Sequence, residues 1–181
     1  AHSSQAVVAF ENTGDANNAI WTRKSSWDLA TATGLGNPYK IALSDLTGNG
    51  VPDLIVGGLY SSGKMVAYSF NGTTWVYQST WNPPGVYSGG PKAAIGDLDG
   101  DGDPDIIVGW GNKTNLQLIT NNNAGLPSTP NNWTDNGFTG ALISNGTAFD
   151  YPDLADLDGD GDLDLMIGAS FTATLLGYEN N

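Results

Sequence analysis

The chain has 181 residues, of which 39% are hydrophobic, with no cysteine and a formal net charge of −13 at pH 7. This length is sufficient for one domain with a buried core, and the absence of cysteine excludes disulfides, thiol catalysis and zinc-thiolate sites. The six Lys and Arg residues are too few and too scattered to form a nucleic-acid-binding surface, so we expect no nucleic acid partner. The apolar runs are far shorter than the about 20 residues of a membrane-spanning helix, so we expect no insertion into a membrane.

The residue pattern predicts an all-β chain, because Gly, Pro, Asn, Ser and Thr interrupt short β-branched and aromatic runs that lack helical periodicity. The first predicted strand is residues 6–10, followed by a turn through residues 12–18 and a hairpin partner that begins at Ala19. A loop through residues 34–38 then leads to Lys40, where a repeated unit begins. The chain before this unit therefore supplies only two predicted strands.

The first repeated unit has four predicted strands. Residues 40–46 enter a polar loop and residues 53–58 leave it. Residues 64–70 and 73–79 then form a hairpin around Asn71-Gly72, a dipeptide that favours a tight turn.

Two further units follow the same plan. The second has strands predicted at residues 92–98, 105–110 and 115–120 and a weak fourth strand near Trp133, and the third has strands at residues 154–157, 163–168 and 174–180. The equivalent aspartates Asp45, Asp97 and Asp156 are 52 and 59 residues apart. Such a period is typical of a β-propeller blade with decorated loops.

Two nearly identical acidic loops are the most specific feature of the sequence. Residues 97–105 read DLDGDGDPD and residues 156–164 read DLDGDGDLD. Five aspartates in nine residues repel one another unless they are protonated, hydrated or neutralised by a cation. Alternating carboxylates on a glycine-kinked loop suit the oxygen-rich coordination of Ca²⁺, so we predict a calcium site in each loop.

Each predicted calcium site has four side-chain ligands and one backbone carbonyl. They are Asp97, Asp99, Asp101 and Asp105 with the carbonyl of Asp103, and Asp156, Asp158, Asp160 and Asp164 with the carbonyl of Asp162. A weaker copy lies in the first unit, where Asp45, Thr47, Asn49 and Asp53 take the side-chain positions and Val51 takes the carbonyl position. Because two anionic ligands are replaced by neutral oxygens there, we expect that site to bind calcium more weakly or to be a relic.

A solvated acidic turn and an EF-hand are the two alternatives to a calcium site of this kind. A solvated acidic turn remains open for each loop, above all for the first. An EF-hand does not fit, because its twelfth position would be Val108 or Ile167 instead of a bidentate Glu. Twelve of the nineteen acidic residues lie in the three loops, so the negative charge is local and gives no evidence of a basic partner.

The pattern D-x-D-G-D-G-x-x-D-L, followed by apolar residues and glycine, resembles the FG-GAP or VCBS repeat, the calcium-binding blade of integrin α subunits and many secreted microbial propellers. The resemblance covers about residues 38–181. It implies a β-propeller architecture in which the calcium loop joins the first two strands of each blade. It also implies an extracellular or cell-surface location, which a mature secreted chain beginning at Ala1 would fit.

We treat residues 1–181 as one propeller-like repeat domain, with repeats at about 38–90, 91–148 and 149–181 and with residues 1–37 supplying the outer strands of a partial blade. GYENN at residues 177–181 resembles AFENT at residues 9–13, and both resemble the third strand of a blade. About three blades cannot close a propeller. The unpaired edges therefore predict self-association into a ring, a filament or a surface assembly, with a fragment of a longer propeller as the alternative.

Catalysis is not expected, because the candidate acids are used as metal ligands and His2 is the only histidine. Trp81 and Tyr87, in the proline-stiffened segment from Ser79, are the best candidates for stacking on a sugar, although packing between blades is the more ordinary role of aromatic residues. The second predicted function is therefore an adhesion or lectin-like module that binds glycans or a surface protein. Sequons at Asn71, Asn112, Asn132 and Asn145 permit glycosylation.

Overall fold

The computed structural model describes residues 7–15, 17–29, 35, 38–58, 63–81, 90–110, 116–126, 133–138, 151–169 and 174–180. Thirteen strands lie in these ranges: β1 Phe10–Asn12, β2 Trp21–Arg23, β3 Pro38–Ser44, β4 Asp53–Gly58, β5 Met65–Phe70, β6 Trp75–Trp81, β7 Pro91–Gly96, β8 Asp105–Trp110, β9 Gln117–Asn121, β10 Trp133–Phe138, β11 Tyr151–Ala155, β12 Asp164–Ala169 and β13 Thr174–Tyr178. The described residues contain no α-helix and one short 3₁₀ turn at Ser25–Trp27. The prediction of an all-β chain is confirmed.

The strands form four antiparallel sheets in which sequence neighbours pair. The first blade has the order β3-β4-β5-β6, the second blade β10-β9-β8-β7 and the third blade β11-β12-β13, while β1 and β2 form a separate two-stranded sheet. Four-stranded meanders of this kind are propeller-type blades. In the described residues, two four-stranded sheets thus lie in chain order between a two-stranded and a three-stranded sheet.

The largest differences from the predicted strand positions are at β1 and β11. The first strand is β1 rather than residues 6–10, because Asn12 accepts the amides of Gly14 and Ile20 and so extends the hairpin, while Val7 pairs separately with Leu29. In the third blade, β11 spans Tyr151–Ala155 rather than residues 154–157. That strand ends earlier because the next residue, Asp156, turns its carboxylate onto the amides of the following loop.

The hydrophobic core lies between adjacent sheets. Ile55 and Met65 of the first blade pack against Ile106, Val108 and Trp110 of the second blade. The opposite face of the second blade contributes Ala94, Ile107 and Leu116, which pack against Leu165 and Ile167 of the third blade. Because adjacent residues of a strand point to opposite faces, the central strands are apolar on both faces. This stacking brings the loops between the first and second strands of successive blades close together.

Candidate metal centres

Loop 1 (residues 45–53), loop 2 (residues 97–105) and loop 3 (residues 156–164) each join the first and second strands of a blade. In loop 2, Asp97 accepts the amides of Gly100 at 2.8 Å and Gly102 at 3.0 Å. These glycines have φ angles of 75° and 94°, a left-handed conformation that other residues adopt only with strain. The alternating Asp and Gly residues are thus required by the fold of the loop itself.

Loop 3 repeats this geometry. Asp156 accepts the amides of Gly159 at 2.6 Å and Gly161 at 3.2 Å, and those glycines have φ angles of 85° and 104°. The two loops therefore adopt one conformation, as their matching sequences predict.

The last aspartate of each loop is buried beneath it. Asp105 accepts the amide of Leu98 on one oxygen and the amide of Asn121 on the other, both at 2.8 Å. Its equivalent Asp164 accepts the amides of Leu157 at 2.8 Å and Asn180 at 3.0 Å. Each carboxylate is consequently fixed from its own loop and from the end of the third strand.

The structure brings three of the predicted ligands in each of these loops together. One carboxylate oxygen from each of Asp97, Asp99 and Asp105 lies within 4.8 Å of the others, and the same holds for Asp156, Asp158 and Asp164. Three like charges at such distances repel one another, and a cation at their centre would remove that repulsion. The donors are oxygen atoms alone, a set that suits a hard cation such as Ca²⁺ and not the thiolate or imidazole sites of zinc. These acidic clusters could therefore bind a metal ion.

The other predicted ligands of loops 2 and 3 lie outside these clusters. Asp101 and Asp160 accept the amides of Asp103 and Asp162, at 2.9 Å and 3.0 Å. The side chain of Asp103 accepts the amide of Ala124, at 2.7 Å, in the turn after β9. Ligation by the side chains of Asp101 and Asp160, and by the carbonyls of Asp103 and Asp162, stays a prediction.

Loop 1 has the same backbone frame and a different polar interior. Asp45 accepts the amides of Asn49 at 3.0 Å and Gly50 at 2.6 Å, and Asn49 accepts the amide of Val51. The buried carboxylate of Asp53 accepts the hydroxyl of Thr47 at 3.2 Å, where loops 2 and 3 have another carboxylate. Neutral donors thus satisfy the aspartates of loop 1, and its calcium binding through Asp45, Thr47, Asn49, Val51 and Asp53 remains a prediction.

The pKa shifts of the two buried aspartates differ in direction. Burial raises the pKa of Asp105 above its ordinary value, aided by the charges of Asp99 and Asp101 and opposed by the amides of Asn121 and Leu98. At Asp164, the amides of Asn180 and Leu157 outweigh burial and lower the pKa. The second blade is covered on both faces, whereas the described residues cover the third blade on one face only. Desolvation therefore disfavours the charged carboxylate more at Asp105 than at Asp164, and a cation at loop 2 would offset the larger electrostatic cost.

Two residues at this site were missed by sequence reasoning, Asn121 and Asn180. Besides holding the buried aspartates through their backbone amides, they donate their side-chain amides to carbonyls of the preceding loop, namely Leu46 at 3.5 Å and Leu98 at 3.3 Å. GYENN at the end of the third strand contains Asn180 and was the available signal for that residue, whereas neither GYENN nor AFENT contains Asn121.

The four-stranded meanders and the repeated acidic loops define a propeller-type repeat protein. The model of the FG-GAP-like repeat matches the chain twice, over residues 45–108 and 97–167. These matches together span more than half of the chain, and the chain belongs to the FG-GAP-like repeat family. Each match begins at the first aspartate of a loop, so the repeated unit is anchored on the acidic loop. No curated protein matches the chain.

The candidate ligand-binding aromatics and most sequons fall outside the described part of the chain. This holds for the side chain of Trp81 and for Tyr87, Asn112, Asn132 and Asn145. Trp110 is fully buried in the core, whereas Trp21 is exposed. Asn71 lies in its predicted turn, where its side-chain oxygen accepts the amides of Thr73 and Thr74. In the residues that the structure covers, no helix has the length and apolar character needed to cross a membrane.

Proposed function

We propose that this chain is a non-catalytic, calcium-binding, extracellular structural protein that self-assembles through its terminal sheets. The observation that carries the proposal is the pair of three-carboxylate clusters, built twice on the same glycine-dependent frame. Calcium bound there would neutralise the aspartates and fix the bend between the first two strands of a blade. Because a ligand that binds only the folded state stabilises it by RT ln(1 + [L]/Kd), millimolar extracellular calcium would keep even weak sites loaded.

The open face of the third blade supports assembly. Leu175 in β13 and Leu116, the residue just before β9, hold equivalent positions, as the register of those strands with β12 and β8 indicates. Leu116 is fully buried between the second and third blades, whereas Leu175 is 75% exposed, because no described residue stacks on the third blade as the third stacks on the second. A further blade would bury this leucine.

The opposite end of the array has a matching apolar groove. Its volume is about 450 Å³, and its lining includes Phe10, Ile41, Leu43 and Trp75. Leu43 is 55% exposed, although its equivalent in the second blade, Ile95, packs against the core shared with the first blade. The groove thus lacks the inner strands of a preceding blade, and the open third blade of a second copy would supply them.

The experiment is mass determination with negative-stain microscopy, first in millimolar calcium and then in chelator. Rings or filaments that dissolve in chelator would support a calcium-locked assembly. A monomer under both conditions would contradict self-assembly and favour a chain whose remaining blades belong to the same polypeptide. Absence of calcium binding by calorimetry would contradict the metal sites themselves.

A further inference from the structure

A continuous line of hydrogen bonds joins the three acidic loops. Leu46 donates its amide to Asp53 at 3.1 Å and accepts at its carbonyl the side-chain amide of Asn121 at 3.5 Å. The backbone amide of Asn121 in turn donates to Asp105 at 2.8 Å. The buried aspartate of loop 1 is thereby linked to the buried aspartate of loop 2 through one leucine peptide and one asparagine.

The same elements repeat between loops 2 and 3. Leu98 donates its amide to Asp105 at 2.8 Å and accepts at its carbonyl the side-chain amide of Asn180 at 3.3 Å. The backbone amide of Asn180 donates to Asp164 at 3.0 Å. The line therefore runs from loop 1 to loop 3, and Asp105 lies at its centre.

The first blade offers a natural comparison. In this blade the buried Asp53 is paired across the sheet with Ser69, whose hydroxyl donates to it at 2.6 Å. The next residue, Phe70, holds the position that Asn121 and Asn180 hold in the other two blades. The sheet of β1 and β2, which precedes this blade, has no acidic loop in its described residues. Between the three blades, the residue at this position is an asparagine in the second and third blades, where the loop of the preceding blade offers a carbonyl, and in the first blade it is a phenylalanine that packs on Trp75.

We propose that Asn121 and Asn180 are positioning residues that couple calcium binding at neighbouring loops. The inference rests on the calcium binding proposed above. Asp105 and Asp164 belong both to the three-carboxylate clusters and to the hydrogen-bonded line. A cation that fixes Asp105 also fixes Leu98, whose carbonyl orients Asn180 and, through it, Asp164. Binding at loop 2 then raises the calcium affinity of loop 3, and by reciprocity loop 3 raises that of loop 2.

The fully buried part of the line favours strong coupling. Leu46, Asp53, Asp105 and Asn121 all have 0% exposure, so water cannot replace a partner that moves. A buried polar group that loses its partner is costly, and the line therefore shifts as a unit instead of bond by bond.

The test is a calcium titration monitored by amide NMR, because the glycine amides report calcium binding at each loop separately. Gly100 and Gly102 donate to Asp97 in loop 2, and Gly159 and Gly161 donate to Asp156 in loop 3. Asp99→Asn weakens loop 2 while keeping a side-chain oxygen for the amide of Asp101. Asn180→Ala removes the bond to Leu98 and retains the backbone amide that Asp164 accepts.

With Asn180 present, Asp99→Asn should weaken calcium binding at loop 3 about fivefold or more, within the usual range of coupling between sites. In the Asn180→Ala background the same substitution should leave loop 3 unchanged. Asn122→Ala is the matched control, because the side-chain amide of Asn122 donates to the hydroxyl of Thr134 at 2.8 Å and to the carbonyl of Thr120 at 3.5 Å; it should preserve the fivefold effect.

Two results would overturn the coupling. One is equal affinity at loop 3 with and without Asp99→Asn; the other is an equal loss in both backgrounds. In either case loops 2 and 3 still bind calcium, and only the coupling fails. If neither pair of glycine amides responds to calcium, the proposed function fails with it.

Discussion

The hydroxyl of Thr47 donates to the buried carboxylate of Asp53 at 3.2 Å, at the position where Asp99 and Asp158 bring a third negative charge to their loops. One substitution of an acid by a hydroxyl thus turns a repulsive contact into a hydrogen bond. Loop 1 thus has two aspartates and a threonine where loops 2 and 3 bring three carboxylates together. The three loops therefore form an internal series in which charge varies while the positive-φ glycines recur, Gly48 and Gly50 in loop 1 as Gly100 and Gly102 in loop 2.

The double substitution Thr47→Asp with Asn49→Asp should convert loop 1 into a full acidic loop. In chelator, the variant should lose about 1.5–3 kcal/mol of unfolding free energy, because a hydrogen bond to a buried carboxylate is replaced by repulsion. In calcium at 100 times the dissociation constant, an added site should return about 2.7 kcal/mol. Thermal melting in the two solutions measures both effects. An equal calcium-induced rise in melting temperature for the variant and the parent chain, both of which retain loops 2 and 3, would contradict the prediction.

Asp99→Asn should have opposite effects with and without calcium. In chelator the variant should melt at the same temperature as the parent chain or slightly higher, because one of three mutually repelling carboxylates is gone. In saturating calcium it should melt about 5–10 °C lower, the shift expected when about 2.7 kcal/mol of ligand stabilisation is lost from a domain of this size. An equal loss under both conditions would show that Asp99 acts through the apo fold and not through a cation.

Much of the site could be predicted from local sequence. Alternating Asp and Gly residues determine the loop conformation through contacts only three to five residues long, such as those of Asp97 with Gly100 and Gly102. The contact of Asn121 with Leu46 joins residues 75 apart, and its existence depends on how two blades stack. Leu116 and Leu175 differ in exposure for the same reason, because only the next blade decides which leucine is buried. Local sequence patterns predicted the strands of each blade, whereas the contacts between blades could be identified only from the folded structure.

Asp28, which lies beside the first sheet, should make the free energy of unfolding depend on pH. It accepts the amide of Ala9 at 2.9 Å and is paired with Arg23, and these contacts lower its pKa below the ordinary value of 3.8. The contribution of Asp28 to the free energy of unfolding is therefore fully present above the pKa that this carboxyl has in the unfolded chain. It is lost as the pH falls through the lower pKa of the folded chain. Asp28→Asn should lower the melting temperature at pH 7 and have a much smaller effect near pH 2. A pH-independent difference would refute the electrostatic origin.

Leu175→Glu should abolish self-assembly without unfolding the chain. The side chain is exposed in the single chain, so the substitution places no charge in the existing core, but it would bury a carboxylate against the apolar groove of a second copy. Val76→Glu is the matched control, because Val76 is also exposed and, unlike its neighbour Trp75, does not line the groove. In calcium, light scattering should find monomers for Leu175→Glu and assemblies for Val76→Glu. If both variants assemble like the parent chain, the open face of the third blade is not the interface; if both are monomeric, the charge acts nonspecifically.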